Sequence, residues 1–113
     1  SAYEASEAVL ATDATAVFAS SDNIALGLLK RLHEMGKGIP DDISVVSYDN
    51  SAADVLFEPA LTAIEQDPGV LAEHAFSCMS KRLAGKGGKR AEEVVLEPAL
   101  IVKSSVLKLA KHN

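Results

Sequence analysis

Apolar positions along this chain alternate between two rhythms. Over residues 2–11 Tyr3, Ser6, Val9 and Leu10 share one face at helical spacing, with Glu4 and Glu7 off it, which predicts a short helix. Residues 14–20, ATAVFAS, are apolar with β-branched and aromatic residues in the middle, and predict a buried strand. Helical spacing returns over 22–35, where Ile24, Leu28, Leu32 and Met35 form a stripe widened by Ala25 and Leu29. Lys30, Arg31 and Glu34 lie mostly outside that stripe, and Gly36-Lys37-Gly38 stops the helix. After the loop Ile39-Pro40-Asp41-Asp42 comes ISVVSYD, 43–49, whose near-continuous apolar character suits a parallel strand covered on both faces.

Residues 50–60 are irregular, and LTAIEQD, 61–67, predicts a third strand. Pro68 then opens a helix with Asp67 as its N-cap, and Leu71, Ala75, Phe76, Met79 and Leu83 keep its apolar stripe as far as Gly85. GKGGKRAEE, 85–93, reads as a flexible basic surface loop, with Lys81, Arg82, Lys86, Lys89 and Arg90 as a solvated patch. Residues 94–105 are extended but broken by Glu97-Pro98, which limits them to an edge strand or two short pieces. The order predicts an α/β fold with a mainly parallel sheet flanked by helices.

In open parallel sheets ligands bind outside the carboxyl ends of the strands. Two polar clusters fall at such ends: Ser20-Ser21-Asp22-Asn23 and Tyr48-Asp49-Asn50, with a weaker third at Glu65-Gln66-Asp67. Their hydroxyls, carboxylates and amides suit hydroxyl-rich ligands such as sugars, or bases bearing N–H groups. Each cluster also has a purely local use. Ser21 or Asp22 can cap the following helix, and Asp49-Asn50 is ordinary turn chemistry.

Composition narrows the function. The formal charge of −5 argues against a broad nucleic-acid-binding face on these 113 residues. The single cysteine, Cys78, forms no intrachain disulfide and reads as a small buried hydrophobe. His33, His74 and His112 are far apart, no Cys/His cluster has metal spacing, and no nucleophile elbow occurs. GKGGKR lacks phosphate-loop spacing. Neither catalysis, a metal nor a cofactor is expected. No apolar run approaches a membrane span and the opening residues do not resemble a signal peptide, so a cytoplasmic location is expected.

TAVFASSDNIALGLLKRLHEMGKGIPDDISVVSYDNS, followed by EPALTAIEQDPGVLAEHAFSCMSKRLAGK and VVLEPALIVKSSV, resembles the late part of the effector-binding domain of LacI/GalR-family transcriptional regulators. The resemblance covers about residues 3–106. Ser47 stands where the family often has Gly, and Lys103 where it often has Arg. The resemblance implies a fragment of a periplasmic-binding-protein-like (type I) fold of two subdomains with a ligand in the cleft. On that pattern residues 1–61 belong to the C-terminal subdomain, 62–96 cross into the N-terminal subdomain, and 97–113 return.

Carried over residue by residue, the resemblance makes Ser21, Asp22, Asp49 and Gln66 effector contacts, and puts Asn23, Leu26, Val55, Leu56 and Phe57 on a homodimer interface. It implies a sensor of a small molecule, sugar-like, in a repressor that meets operator DNA through a helix-turn-helix absent from these residues. Effector binding would shift a population of subdomain arrangements. A periplasmic sugar-binding component of a transport system shares the fold and is the alternative, and an enzyme on the same scaffold is a third reading that lacks a catalytic cluster. Exposed sheet edges and apolar faces lead us to expect self-association of so short a segment.

Overall fold

The computed structural model describes residues 1–51 and 57–110. The elements follow the order α1 (Ala2–Leu10), β1 (Ala16–Ala19), α2 (Asp22–Glu34), β2 (Ser44–Tyr48), β3 (Thr62–Glu65), α3 (Pro68–Leu83) and β4 (Ala99–Ile101). The strands form one sheet in the order β1-β2-β3-β4, in which β1 pairs with β2 and β2 with β3 in parallel. Each strand is shorter than the run that predicts it; past their ends Ser21 and Asp67 serve as helix caps. The extended segment 94–105 yields only three paired residues, all after Pro98, which has no N–H to donate.

Two compact units divide the chain: Ser1–Glu65 with Leu100–Asn113, and Gln66–Ala99. These boundaries fall a few residues downstream of those expected at 61/62 and 96/97. In the first unit α1 packs on α2, and α2 on β1 and β2. The core gathers Leu10, Ala19, Ala25, Leu28, Leu32, Ile43, Val45, Phe57 and Leu61. Ile24 and Met35, at the margins of the predicted stripe, stay exposed. The two helices approach closely at Gly27, where an added Cβ would stand 2.8 Å from the Tyr3 backbone nitrogen. Arg31 works in the same seam: its guanidinium lies over the Tyr3 ring, donates to the Tyr3 hydroxyl at 3.1 Å and pairs with Glu7 at 3.3 Å.

Helix ends follow local chemistry. Ser21 caps α2, its hydroxyl accepting from the Ile24 N–H at 3.3 Å. At the other end Gly36 takes φ +67°, and the Gly36 and Lys37 N–H groups donate to the carbonyls of His33 and Leu32, a complete Schellman motif. Gly85, at φ +71°, closes α3 in the same way, with Gly85 and Lys86 donating to Arg82 and Lys81.

The second unit departs from expectation. No residue of α3 is buried: Phe76 is 76 % and Leu83 82 % exposed. The stripe is present in the sequence, but among the described residues of this unit nothing broad enough covers it. Cys78, expected to be buried, is half-buried. The loop after α3 is tied back rather than free, through the Arg82 guanidinium donating to the Arg90 carbonyl and a Lys81–Glu92 ion pair at 3.7 Å.

Candidate functional site

The carboxyl edge of the sheet carries the polar clusters. Ala19 pairs with Ser47, so Ser21 and Asp49 each lie two residues past the same rung. Tyr48 pairs with Ile64, which sets Asp49 level with Glu65. The parallel register therefore brings the first two clusters, far apart in sequence, and Glu65 of the third to one edge of the first unit.

Within the first cluster the roles divide. Ser20 and Asn23 are exposed and Ser21 caps α2. Asp22 turns inward and is 6 % exposed. Its Oδ1 accepts from the Ser47 hydroxyl at 3.4 Å and its Oδ2 from the Ser51 N–H at 2.9 Å. A carboxylate in the first turn of a helix also complements the helix dipole. Asp22 thus ties the start of α2 to β2 and to the turn after it. Ser47, one of the two departures from the family pattern, supplies the hydroxyl for this tie.

The turn after β2 has an unusual backbone. Asp49 has φ +99° and Asn50 φ +50°. Left-handed conformations cost an ordinary residue about 1–2 kcal/mol, and Asn and Asp tolerate them better than most. All three residues of the turn are tied. The Asp49 N–H donates to the Ile64 carbonyl at 2.9 Å, the Asn50 amide donates to Glu65 and accepts from the Lys103 ammonium, and the Ser51 N–H reaches Asp22. The Asp49 carboxylate is exposed, with no hydrogen bond or ion pair among the described residues. Strained, well-tied turns of this kind recur at functional sites.

Lys103 arrives on a segment that is itself held. Its backbone N–H donates to the Thr62 hydroxyl at 2.9 Å. Two residues on, the fully buried Ser105 hydroxyl accepts from the Thr62 N–H at 2.8 Å and donates to the Val45 carbonyl. The Leu107 N–H adds a bond to the Ser44 hydroxyl at 3.0 Å. Sequence reasoning missed both Lys103 and Glu65 as partners of this turn. Glu65 stood in the weaker third polar cluster, and the one signal for Lys103 was a lysine standing where the resemblance favours arginine.

The other expected site residues lie on further parts of the chain. Gln66 is the first residue of the second unit. Asn23 and Leu26 are exposed on α2, Leu26 by 42 %. Phe57, expected on an exposed interface, is 5 % exposed and packs in the core, which takes up its ring without any partner. Val55 and Leu56 lie outside the described residues. An apolar hollow of about 360 Å³ opens beside β1, lined by Val9, Phe18, Ile24 and Leu28 among others. It offers little to a polar ligand. Among the described residues no three His, Cys, Asp or Glu side chains gather to hold a metal, and no helix is long and apolar enough to cross a membrane.

Comparison with known proteins places this geometry. A family model for the periplasmic binding protein-like domain matches residues 1–106. The chain is 39 % identical over 110 residues to an HTH-type transcriptional repressor PurR of Mannheimia succiniciproducens, covering 96 % of this chain and 33 % of that protein. A LacI family transcriptional regulator from Enterococcus faecalis, solved with bound ribose, superposes with a TM-score of 0.85 at 35 % identity, over 93 % of this chain and 39 % of that one. Its counterpart from Enterococcus faecium, also with bound ribose, gives 0.84 at 32 % identity over the same shares. The chain spans about a third of the length of the curated relatives it matches.

Proposed function

Since this chain belongs to the periplasmic binding protein-like domain family, in the form carried by LacI-family transcriptional regulators, we propose that it is part of the effector-sensing domain of a DNA-binding transcriptional repressor. The effector is a small, hydroxyl-bearing molecule of the sugar class. Asp49 accepts hydrogen bonds from its hydroxyls, Ser21 lies on the same rung, and Asp22 holds the two loops in register from behind. The observation that carries this reading is the Asp49 carboxylate, exposed on a fully tied turn at the carboxyl edge of a parallel sheet.

Effector binding selects one arrangement of the sensor, and that arrangement sets the affinity of paired DNA-binding headpieces for operator DNA. The headpiece is a helix-turn-helix beyond these residues, and the protein works in the cytoplasm as a homodimer to which the exposed Asn23 and Leu26 of α2 contribute. That the matched relatives are regulators supports this over a transport component, which shares the fold.

Calorimetric titration of the protein containing this chain with D-ribose, the ligand held by two of its neighbours, tests the site. A hydrogen bond to a charged group is worth about 1.5–3 kcal/mol, so Asp49→Ala should weaken binding about 10- to 150-fold, while Ala at φ +99° lowers folding stability by no more than about 1–2 kcal/mol. Unchanged affinity would remove Asp49 from the site. Absence of saturable binding by ribose and by a panel of pentoses, hexoses and disaccharides would remove the sugar class.

A further inference from the structure

We propose that Lys103 and Glu65 are positioning residues that aim Asp49 through the side chain of Asn50. The Asn50 amide is held at both ends by opposite charges. Its NH2 group donates to the Glu65 carboxylate and its carbonyl oxygen accepts from the Lys103 ammonium. Flipping the amide would set NH2 against ammonium and carbonyl against carboxylate, so one orientation alone satisfies both ends. Holding that side chain in place holds the backbone at φ +50°, and the neighbouring φ of +99° at Asp49 follows from the same turn.

Both charged ends are rigidly delivered. Glu65 closes β3, and Lys103 is anchored by its own N–H on Thr62, two residues before the buried Ser105. The bond from the Asp49 N–H to Ile64 and that from the Ser51 N–H to Asp22 then fix the turn on either side of Asn50. What remains unspent is the Asp49 carboxylate. A cation more than fifty residues downstream in sequence thereby sets the direction of the group proposed to meet the effector. The consequence for binding rests on the reading of Asp49 as an effector contact; the conformational clamp stands without it.

The test uses the protein containing this chain, with Lys103→Met, Lys103→Arg and Asp49→Ala variants. Amide exchange by NMR reads the clamp without any ligand. Lys103→Met should speed exchange of the Asp49 and Ser51 N–H groups at least tenfold and shift the Asn50 side-chain amide pair, while the β1–β2 ladder changes less than twofold. Lys103→Arg, which returns a cation, should restore all three signals. Titration with D-ribose reads the consequence: Lys103→Met weakens binding about tenfold in the wild-type background and not at all beside Asp49→Ala.

Exchange at Asp49 and Ser51 that stays within twofold of wild type would overturn the proposal. So would an equal rise across the whole ladder, which marks general loosening, or a Lys103→Arg variant that behaves like Lys103→Met. If wild-type protein binds neither ribose nor any sugar of the panel, the sugar reading loses its support while the exchange pattern still decides the clamp. Additive losses from Lys103→Met and Asp49→Ala in a protein that does bind ribose would overturn the positioning role.

Discussion

Removing one oxygen atom at Ser105 should destabilise the first unit more than most single surface changes. The hydroxyl is fully buried, accepts from the Thr62 N–H at 2.8 Å and donates to the Val45 carbonyl. Thr62 is 4 % and Val45 0 % exposed, so water has no easy access to either group after Ser105→Ala. The lost hydrogen bond is worth about 0.5–1.5 kcal/mol, and a buried donor left unpaired costs about 1–3 kcal/mol. Allowing for partial relaxation, the loss comes to about 2–3 kcal/mol, or about 30- to 150-fold in the folding equilibrium constant. Urea denaturation of wild type and variant reads it as a lower midpoint at unchanged slope. Ser104→Ala is the control: that exposed residue uses its backbone N–H, donated to Ala60 at 3.2 Å, and its loss of a hydroxyl should stay within about 0.5 kcal/mol. Hydrogen exchange adds a local reading, because the Thr62 amide should lose protection in Ser105→Ala. A Ser105→Ala variant as stable as the control, or one with an equally protected Thr62 amide, would refute the role given to this hydroxyl.

Two further changes test the helical layer. Gly27→Ala gains about 1 kcal/mol of helix propensity but drives a methyl to 2.8 Å from the Tyr3 backbone; overpacking costs about 1–3 kcal/mol, so a net loss of up to about 2 kcal/mol is expected, with chemical-shift changes confined to α1 and its seam. A more stable variant with an unmoved α1 would contradict the close approach. Leu32→Ala empties a side chain that is 1 % exposed and should cost about 2–5 kcal/mol, measured by the same denaturation. A cost below about 1 kcal/mol would place Leu32 outside the core.

Most of the first unit is written in local pattern. The α2 stripe, the Ser21 cap and the Gly36 stop sit next to one another in sequence, and each acts within one or two helical turns. The strands are legible for the same reason, since a near-continuous apolar run such as Ile43 to Val46 has few other ways to leave water. What pattern leaves open is what a stripe packs against. Leu28 and Leu32 meet a sheet, whereas the equally regular stripe of α3 meets nothing comparable among the described residues of its unit. Periodicity reports that a face is apolar, and burial depends on whether a second surface is there to receive it. Phe57 is the opposite case, an apolar residue in an irregular segment whose burial depends on elements remote in sequence.

The site divides along the same line. That polar residues follow β1 and β2 is plain in the sequence, and the parallel register makes them neighbours. Which of two aspartates faces inward is not plain. Asp22 and Asp49 both follow adjacent strands, one residue out of register with each other, yet one is nearly inaccessible and the other exposed. The difference comes from their partners. Ser47 and the Ser51 N–H converge on Asp22, one from β2 and one from the turn beyond it, while Asn50 takes up both Glu65 and Lys103 and leaves Asp49 without a claim on its carboxylate. A carboxylate that is 6 % exposed, with each oxygen already accepting a hydrogen bond, has little open surface to offer a ligand. An exposed carboxylate on a held turn gives up only water. On the reading proposed above, discrimination among effectors belongs with Asp49, and the departures at Ser47 and Lys103 act on it indirectly, by fixing the frame from which it points.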